Sequence, residues 1–415
     1  MPARRILFVE NSIGLSGSTM SLVTLLNRLD RERFAPRIAL SRPEQAAYVR
    51  EHLDQAADIA VVSPRRGLKQ TAWLQRLASP DSRAPRLLRR SLLRVAGLLD
   101  LLVVALPYAL RLRRFAGREV DLIHQNNGFD FGAIMLARML GRPLVAYQRG
   151  DEWNSAVVRW FARRVTAFVA NSQATKRSLD ALGVPAGRTS VIYPPLDLRI
   201  FDAARGSGTS RAALGLDADT PVVGIVGIMV PWKGHGVFLR AVRAIRDQIP
   251  RVRALIIGGH PSGGEAYVRE LVALAADLGV SDRVTFTGFR ADVAELLPAL
   301  DVVVHASIKP EPFGRVITEA MAMKRPVVAS AAGGPMEIIE DGRSGYLVPP
   351  GDHEALAARV VELLKDPSRA GEIGERAARD VARRFSADTH ARMMEEVYDR
   401  ALGSGISQSM ATHSR

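Results

Sequence analysis

Residues 301–330, DVVVHASIKPEPFGRVITEAMAMKRPVVAS, decide the fold. The stretch opens on DVVVHAS (301–307) and closes on RPVVAS (325–330), two short apolar runs rich in β-branched valine. Between them, RVITEAMAMK carries the apolar spacing of a buried helix, and the prolines and glycine of IKPEPFG (308–314) mark a loop. Strand, loop, helix and strand in close succession form a β/α unit. Strands that are apolar throughout, rather than alternating, belong to a parallel sheet covered on both faces.

The same rhythm runs along the chain in both directions. RILFVE (5–10), RIAL (37–40), DIAVVS (58–63), DLIHQ (121–125), PLVAYQ (143–148) and AFVANS (167–172) alternate with helix-like segments. PVVGIVG (221–227), RALIIGG (253–259), RVTFTG (283–288) and SGYLVPP (344–350) complete a second series with the opening stretch. The predicted fold is α/β, with two Rossmann-like domains facing each other across a cleft. At 415 residues the chain is longer than one hydrophobic core normally supports. YPPLDLRIFDAARGSGTSRAALGLDADTP (193–221) reads as the linker, which places the domains at 1–200 and 201–385, with 386–415 as a final helix and tail.

Charge separates the halves as well. Residues 1–200 hold 31 Lys and Arg against 16 Asp and Glu, whereas residues 201–415 hold 26 against 27. The excess of +14 therefore belongs to the first domain, which is expected to face something acidic. The chain has no cysteine, which excludes disulfides and thiolate metal sites and fits a reducing compartment. The apolar run after the two arginines of MPARRILFVE is too short for a signal-peptide core, so it reads as a first strand and the expected location is cytoplasmic.

In doubly wound sheets ligands bind at the carboxyl ends of the strands. PVVGIVG is followed by IMVPWKGHG, which brings Lys233 and Gly234 to the rim of the second sheet, and DVVVHAS brings Glu311 to the same rim. Glu311 precedes Pro312 and Gly314 and so sits in the loop, whereas Glu319 lies in the first turns of the helix. Between them the amides of Phe313, Gly314, Arg315 and Val316 open that helix, where unpaired N–H groups and the positive end of the dipole favour a phosphate. The two carboxylates are then acceptors for hydroxyl groups on either side of it. A ligand with a sugar, a diphosphate and a ribose satisfies all three features.

EPFGRVITE has the E-x7-E form of the retaining glycosyltransferases of family 4, which it resembles. NSIGLSGSTMSLVTLLNRL, FVANSQATKRSLDALGVP, VPWKGH, GFRADVAELLPALDVVVHAS and AAGGPMEIIEDGRSGYLVPPGD match that family's blocks in order, so the resemblance covers nearly the whole chain. It implies a GT-B fold, a nucleotide-sugar donor and, by family habit, a cell-envelope polysaccharide or glycolipid acceptor. It implies that Glu319 holds the ribose and Glu311 a hydroxyl of the donor hexose. The amides at Phe313 to Val316 would hold the sugar and phosphates, and Lys233 would offset charge on the leaving diphosphate. Gly17 would approach the donor from the other domain, and Phe289 and Arg290 would neighbour the base. The final helix, FSADTHARMMEEVYDRAL (385–402), resembles one that crosses back to the first domain.

Three positions depart from the family pattern. Ile228 stands where an arginine is common, and Thr19 replaces an acidic residue of the amino-terminal loop. Arg149, with Gly150 and Asp151 after it, occupies the place of a histidine. An arginine cannot act as a base near neutral pH, so either Asp151 takes the proton or the leaving phosphate does; Arg149 and Asp151 alternatively pair with each other. His124, His235, His260 and His305 have no metal-ligand spacing and read as packing or rim residues. No metal is expected, because Lys233 and a helix terminus already offset the diphosphate charge.

RAPRLLRRSLLRVAGLLDLLVVALPYALRLRRFAGR (83–118) carries nine arginines and one acid around an apolar centre. Arg94, Asp100 and Pro107 interrupt the roughly 20 apolar residues that a spanning helix needs. An interfacial helix on an anionic membrane surface fits better, against a solvated helix pair packed on the first sheet. Two other readings of the chain are a catalytically silent nucleotide-sugar-binding protein, suggested by Ile228 and Arg149, and a nucleic-acid-binding protein. The latter lacks zinc-finger spacing, a recognition-helix signature and aromatic–basic interleaving, so no nucleic-acid partner is expected.

Overall fold

The computed structural model describes residues 2–12, 16–64, 92, 95–97, 99–117, 119–150, 156–203 and 211–412. They divide into two units, one of Met1–Asn171, Thr175–Ile192 and His390–Arg415, the other of Ser172–Ala174 and Tyr193–Thr389. The sequence placed its divisions at 200 and 385.

The first unit holds seven strands: β1 (Arg4–Glu10), β2 (Phe34–Leu40), β3 (Asp58–Val61), β4 (Leu122–Gln125), β5 (Leu144–Gln148), β6 (Ala167–Ala170) and β7 (Thr189–Val191). They form one sheet in the order β3-β2-β1-β4-β5-β6-β7, and every pairing is parallel. The first six are the strands read from the sequence. β7, with burial intermediate throughout and the sequence TSV, has no apolar run to announce it.

β1 shows why these strands do not alternate in polarity. Ile6 and Phe8 enter one buried layer with Leu22, Leu25 and Leu26 of the helix Gly17–Leu26, while Leu7 and Val9 enter the other with Ala133 and Leu136 of the helix Phe131–Leu140. Both faces are covered, and each fully buried Leu, Ile or Val contributes roughly 1.5–3 kcal/mol relative to exposure. The layer on the Phe8 side also takes Ala391, Met394, Val397, Tyr398 and Ala401 of the last helix, Ala387–Thr412.

A wide turn, Leu101–Ala105, runs into the helix Leu106–Ala116. Tyr108, Ala109, Leu112 and Ala116 are buried, whereas Leu102, Val103 and Leu110 are exposed alongside Arg111, Arg113 and Arg114. By length and composition alone Val95–Ala116 is long and apolar enough to cross a membrane, with mean hydropathy 1.8. Residues 83–91, 93, 94, 98 and 118 of the basic segment lie outside the described residues.

The second unit holds β8 (Val222–Val226), β9 (Arg253–Ile257), β10 (Val284–Gly288), β11 (Val302–His305), β12 (Val327–Ser330) and β13 (Tyr346–Val348) in the order β10-β9-β8-β11-β12-β13, again all parallel. The connections reverse direction between β8 and β11, so the loops after these two adjacent strands diverge from a switch point, the place where such sheets bind ligands.

Candidate functional site

The loop after β8 carries Lys233 on a short turn, Pro231–Lys233, and Gly234 makes the turn possible. Gly234 has φ +75°, and a Cβ there would stand 1.8 Å from the Ala306 carbonyl oxygen. The Ile308 amide donates to the Trp232 carbonyl at 2.8 Å, so the turn lies against the end of β11. Lys233 passes over the Trp232 ring at 4.4 Å and delivers its Nζ to both oxygens of Glu311 at 2.7 Å.

Glu311 sits on the loop after β11 and bridges to Gly333. A Cβ at Gly333 would meet the Glu311 carbonyl oxygen at 2.3 Å, and one at Gly334 the Phe313 carbonyl oxygen at 2.2 Å, which accounts for the paired glycines of AAGGPMEI. Three side chains hold the Glu311 carboxylate. Besides Lys233, His305 Nε2 lies 3.1 Å from Oε2 and the Ser307 hydroxyl donates to Oε2 at 3.0 Å. Burial pushes the Glu311 carboxyl up, but the hydrogen bond from His305 and the charge of Lys233 outweigh it and hold the group at about 2. The carboxylate is ionised near neutral pH.

Past Glu311 the chain turns into the helix Arg315–Ala322 through Gly314, which caps it in the left-handed region (φ +99°) with no side-chain cap hydrogen bond. The Phe313 side chain is buried against Tyr193 and Phe385, with ring centroids 5.8 and 5.6 Å away, so it offers a ligand only its backbone. Val316 packs beside the same core. Glu319 is mostly buried and accepts from Arg315 one turn earlier at 3.0 Å. Phe289 follows β10 and is 79% exposed, open to stack on a planar group. Arg290 is forked onto Asp292.

The remaining candidates lie in the first unit. Gly17 is the first residue of its helix. Arg149 follows β5; its Nε donates to the Asn126 carbonyl at 2.9 Å, its Nη2 donates to Asn126 Oδ1 at 3.0 Å, and its guanidinium covers the Tyr147 ring at 4.0 Å. Asn126 in turn donates to Glu10, a carboxylate with no exposure that also accepts from the Ser12 amide at 2.9 Å and the Ser18 hydroxyl at 3.1 Å. Asp151 lies outside the described residues.

Sequence reasoning singled out neither Glu10 nor Asn126, and it read His305 as packing or rim. Their shared signal is a polar residue at the carboxyl end of an apolar strand. His124 is a packing residue: it meets Phe8 at 5.0 Å, shares a hydrogen bond of 3.0 Å with the Tyr398 hydroxyl, and is pushed by burial down to about 3. Among the described residues no group of three or more His, Asp or Glu is placed to hold a metal.

Comparison with known proteins gives a consistent picture. The model of glycosyltransferase family 4 matches residues 15–200, and that of the glycosyl transferases group 1 matches residues 207–380. A lipopolysaccharide core biosynthesis mannosyltransferase, LpcC of Rhizobium leguminosarum bv. viciae, is 31% identical over 288 residues, 69% of this chain and 79% of that one. A D-inositol 3-phosphate glycosyltransferase of Kineococcus radiotolerans is 36% identical over 250 residues, 57% of each chain. The chain spans about half the length of that relative and of similar ones from Mycobacterium and Streptomyces. Among solved structures, Anabaena HepE in complex with UDP and glucose superposes with a TM-score of 0.75 at 27% identity, covering 96% of this chain and all of that one.

Proposed function

The chain belongs to glycosyltransferase family 4 and has that family's GT-B fold, and on that premise we propose that it is a retaining glycosyltransferase. It moves a hexose or related sugar from a nucleotide-sugar donor to a polysaccharide or glycolipid acceptor of the cell envelope. One observation carries the reading: a lysine and an ionised glutamate meet at the switch point of the second sheet, beside a glycine-capped helix that bears a second glutamate.

In this reading Glu319 accepts from the ribose, Phe289 stacks on the base, and the backbone from Phe313 to Val316 faces the phosphates and sugar. Lys233 is shared between Glu311 and the diphosphate, where charge grows as the sugar departs. The lysine and the helix terminus offset that charge, and no metal is invoked. The UDP and UDP-glucose complexes of HepE support a nucleotide-sugar donor and make UDP the first nucleotide to test. Retention is supported by the E-x7-E form. Arg149, held by Asn126, cannot take the acceptor proton, which leaves the departing phosphate or Asp151.

The acceptor class is supported by the name of LpcC and by the basic first domain. A cytoplasmic enzyme lying on the inner face of the membrane accords with the exposed Leu102, Val103 and Leu110 beside Arg111, Arg113 and Arg114. A donor screen tests the whole reading: purified protein is heated with UDP, GDP and ADP sugars, and the sugar that stabilises it is assayed for transfer and hydrolysis. Ligands that bind the folded state raise its stability by mass action. Stabilisation without turnover would leave a binding protein. No stabilisation by any nucleotide sugar would end the proposal.

A further inference from the structure

We propose that His305 is a positioning residue for Glu311, an inference that rests on the donor site proposed above. β11 reads VVVH, and Val303, two residues before His305, lies in the buried layer with Ile317 and Ala329. An imidazole at this position is 4% exposed where the strand pattern calls for a hydrocarbon. Its Nδ1 is buried without a hydrogen-bond partner among the described residues, so the ring is not there to satisfy a general polar surrounding. Its Nε2 lies 3.1 Å from Glu311 Oε2, and the Ser307 hydroxyl lies 3.3 Å from the same nitrogen.

Glu311 is ionised and can only accept, so the proton belongs on Nε2. The carboxylate is thus loaded unevenly. Among the described residues Oε2 takes His305, Ser307 and Lys233, while Oε1 takes Lys233 alone. Oε1 keeps acceptor capacity for a hydroxyl of the donor sugar, and His305 fixes which oxygen that is. Lys233 cannot do this by itself, because it is drawn toward the diphosphate when the donor arrives. Once the lysine is shared, His305 and Ser307 remain to hold the orientation.

The test compares wild type with His305→Leu, His305→Gln and Glu311→Ala. Donor turnover is measured with UDP-glucose, UDP-galactose, GDP-mannose and ADP-glucose, and binding of the matching free diphosphate by calorimetry. His305→Leu should lower kcat/KM for the sugar nucleotide roughly 10- to 100-fold, as expected for a lost hydrogen bond to a charged group. The diphosphate, which has no sugar to orient, should bind as tightly as before. His305→Gln, which returns an N–H donor near the Nε2 position, should recover most of the loss. Unchanged turnover in His305→Leu, or equal loss of diphosphate binding, would overturn the proposal. If wild type turns over none of the four donors, the functional reading falls instead, and the imidazole 15N spectrum then decides this point. An Nε2–H tautomer at His305 that vanishes in Glu311→Ala supports positioning, and an Nδ1–H tautomer in wild type refutes it.

Discussion

Lys233 places its Nζ 2.7 Å from both carboxylate oxygens of Glu311. The cation and the carboxylate that the sequence assigns to different parts of one ligand therefore neutralise each other. Both side chains are more than four-fifths buried, where a lone charge is costly.

Removing the lysine should cost stability as well as activity. Lys233→Met is expected to destabilise the fold by roughly 3–5 kcal/mol, the range for a broken buried pair, and to lower donor turnover on the order of a hundredfold or more. The double variant Lys233→Met, Glu311→Gln should regain part of the stability and none of the turnover. Denaturant melts of the single and double variants check the first half. Additive losses would show that the pair is not coupled.

If Glu319 accepts from the ribose as proposed, Glu319→Ala should weaken the binding of the free nucleoside diphosphate, because the ribose would lose its acceptor. The variant also releases Arg315, which Glu319 holds at 3.0 Å. Calorimetry with UDP or the nucleoside diphosphate that the donor screen returns measures the effect, and affinity equal to wild type would remove Glu319 from the site.

Acid should act through histidine before it acts through Glu311. Buried His124 stays neutral down to about 3, whereas in the unfolded chain it takes a proton near 6.5. Between those values the unfolded state binds the extra proton, so stability falls as pH falls, by up to about 1.4 kcal/mol per pH unit for this one group. Glu311 is shifted downward to about 2, so its contribution is complete above about 4.5 and is lost only from there toward 2. His124→Phe, whose ring suits the neighbouring Phe8 and Tyr147, should flatten the stability profile between pH 6 and 4 despite losing the Tyr398 bond. An unchanged slope in urea titrations would refute the assignment.

Gly234→Ala should disable the site from behind. Its Cβ would overlap the Ala306 carbonyl oxygen, and the residue would still have to adopt φ +75°. The left-handed conformation alone costs of order 1–3 kcal/mol. A drop in melting temperature with loss of donor binding is the expected outcome. Gly236→Ala, with nothing nearer than 3.5 Å, is the control that should leave both unchanged.

Membrane contact predicts a salt dependence. Cosedimentation with anionic vesicles should fall as salt rises, since surface charges are screened over about 8 Å at physiological ionic strength. Changing Arg111, Arg113 and Arg114 together to Gln should weaken it further without lowering the melting temperature, because all three are exposed. Equal binding to neutral and anionic vesicles would contradict the electrostatic part.

Among the described residues twelve of the thirteen strands could be read from the chain, because most of them are buried on both faces and therefore apolar along their length, a constraint that acts on neighbouring residues. β7 escaped, since Thr189, Ser190 and Val191 include a single apolar side chain and so form no apolar run. Lys233 and Glu311 were legible as residues following strands, and the Arg315–Glu319 pair lies one helical turn apart. What the tertiary structure alone decided is which polar groups meet. Gly234 is glycine because of a carbonyl at Ala306, and His124 has as its partner Tyr398, 274 residues away. His305 looks like any histidine in an apolar strand until the loop brings the Glu311 carboxylate to its Nε2. Periodicity reports how deeply a residue is buried, because burial is set by the face it occupies. A hydrogen-bond partner is set by the register of distant segments, to an ångström, and no local pattern in the sequence carries that information.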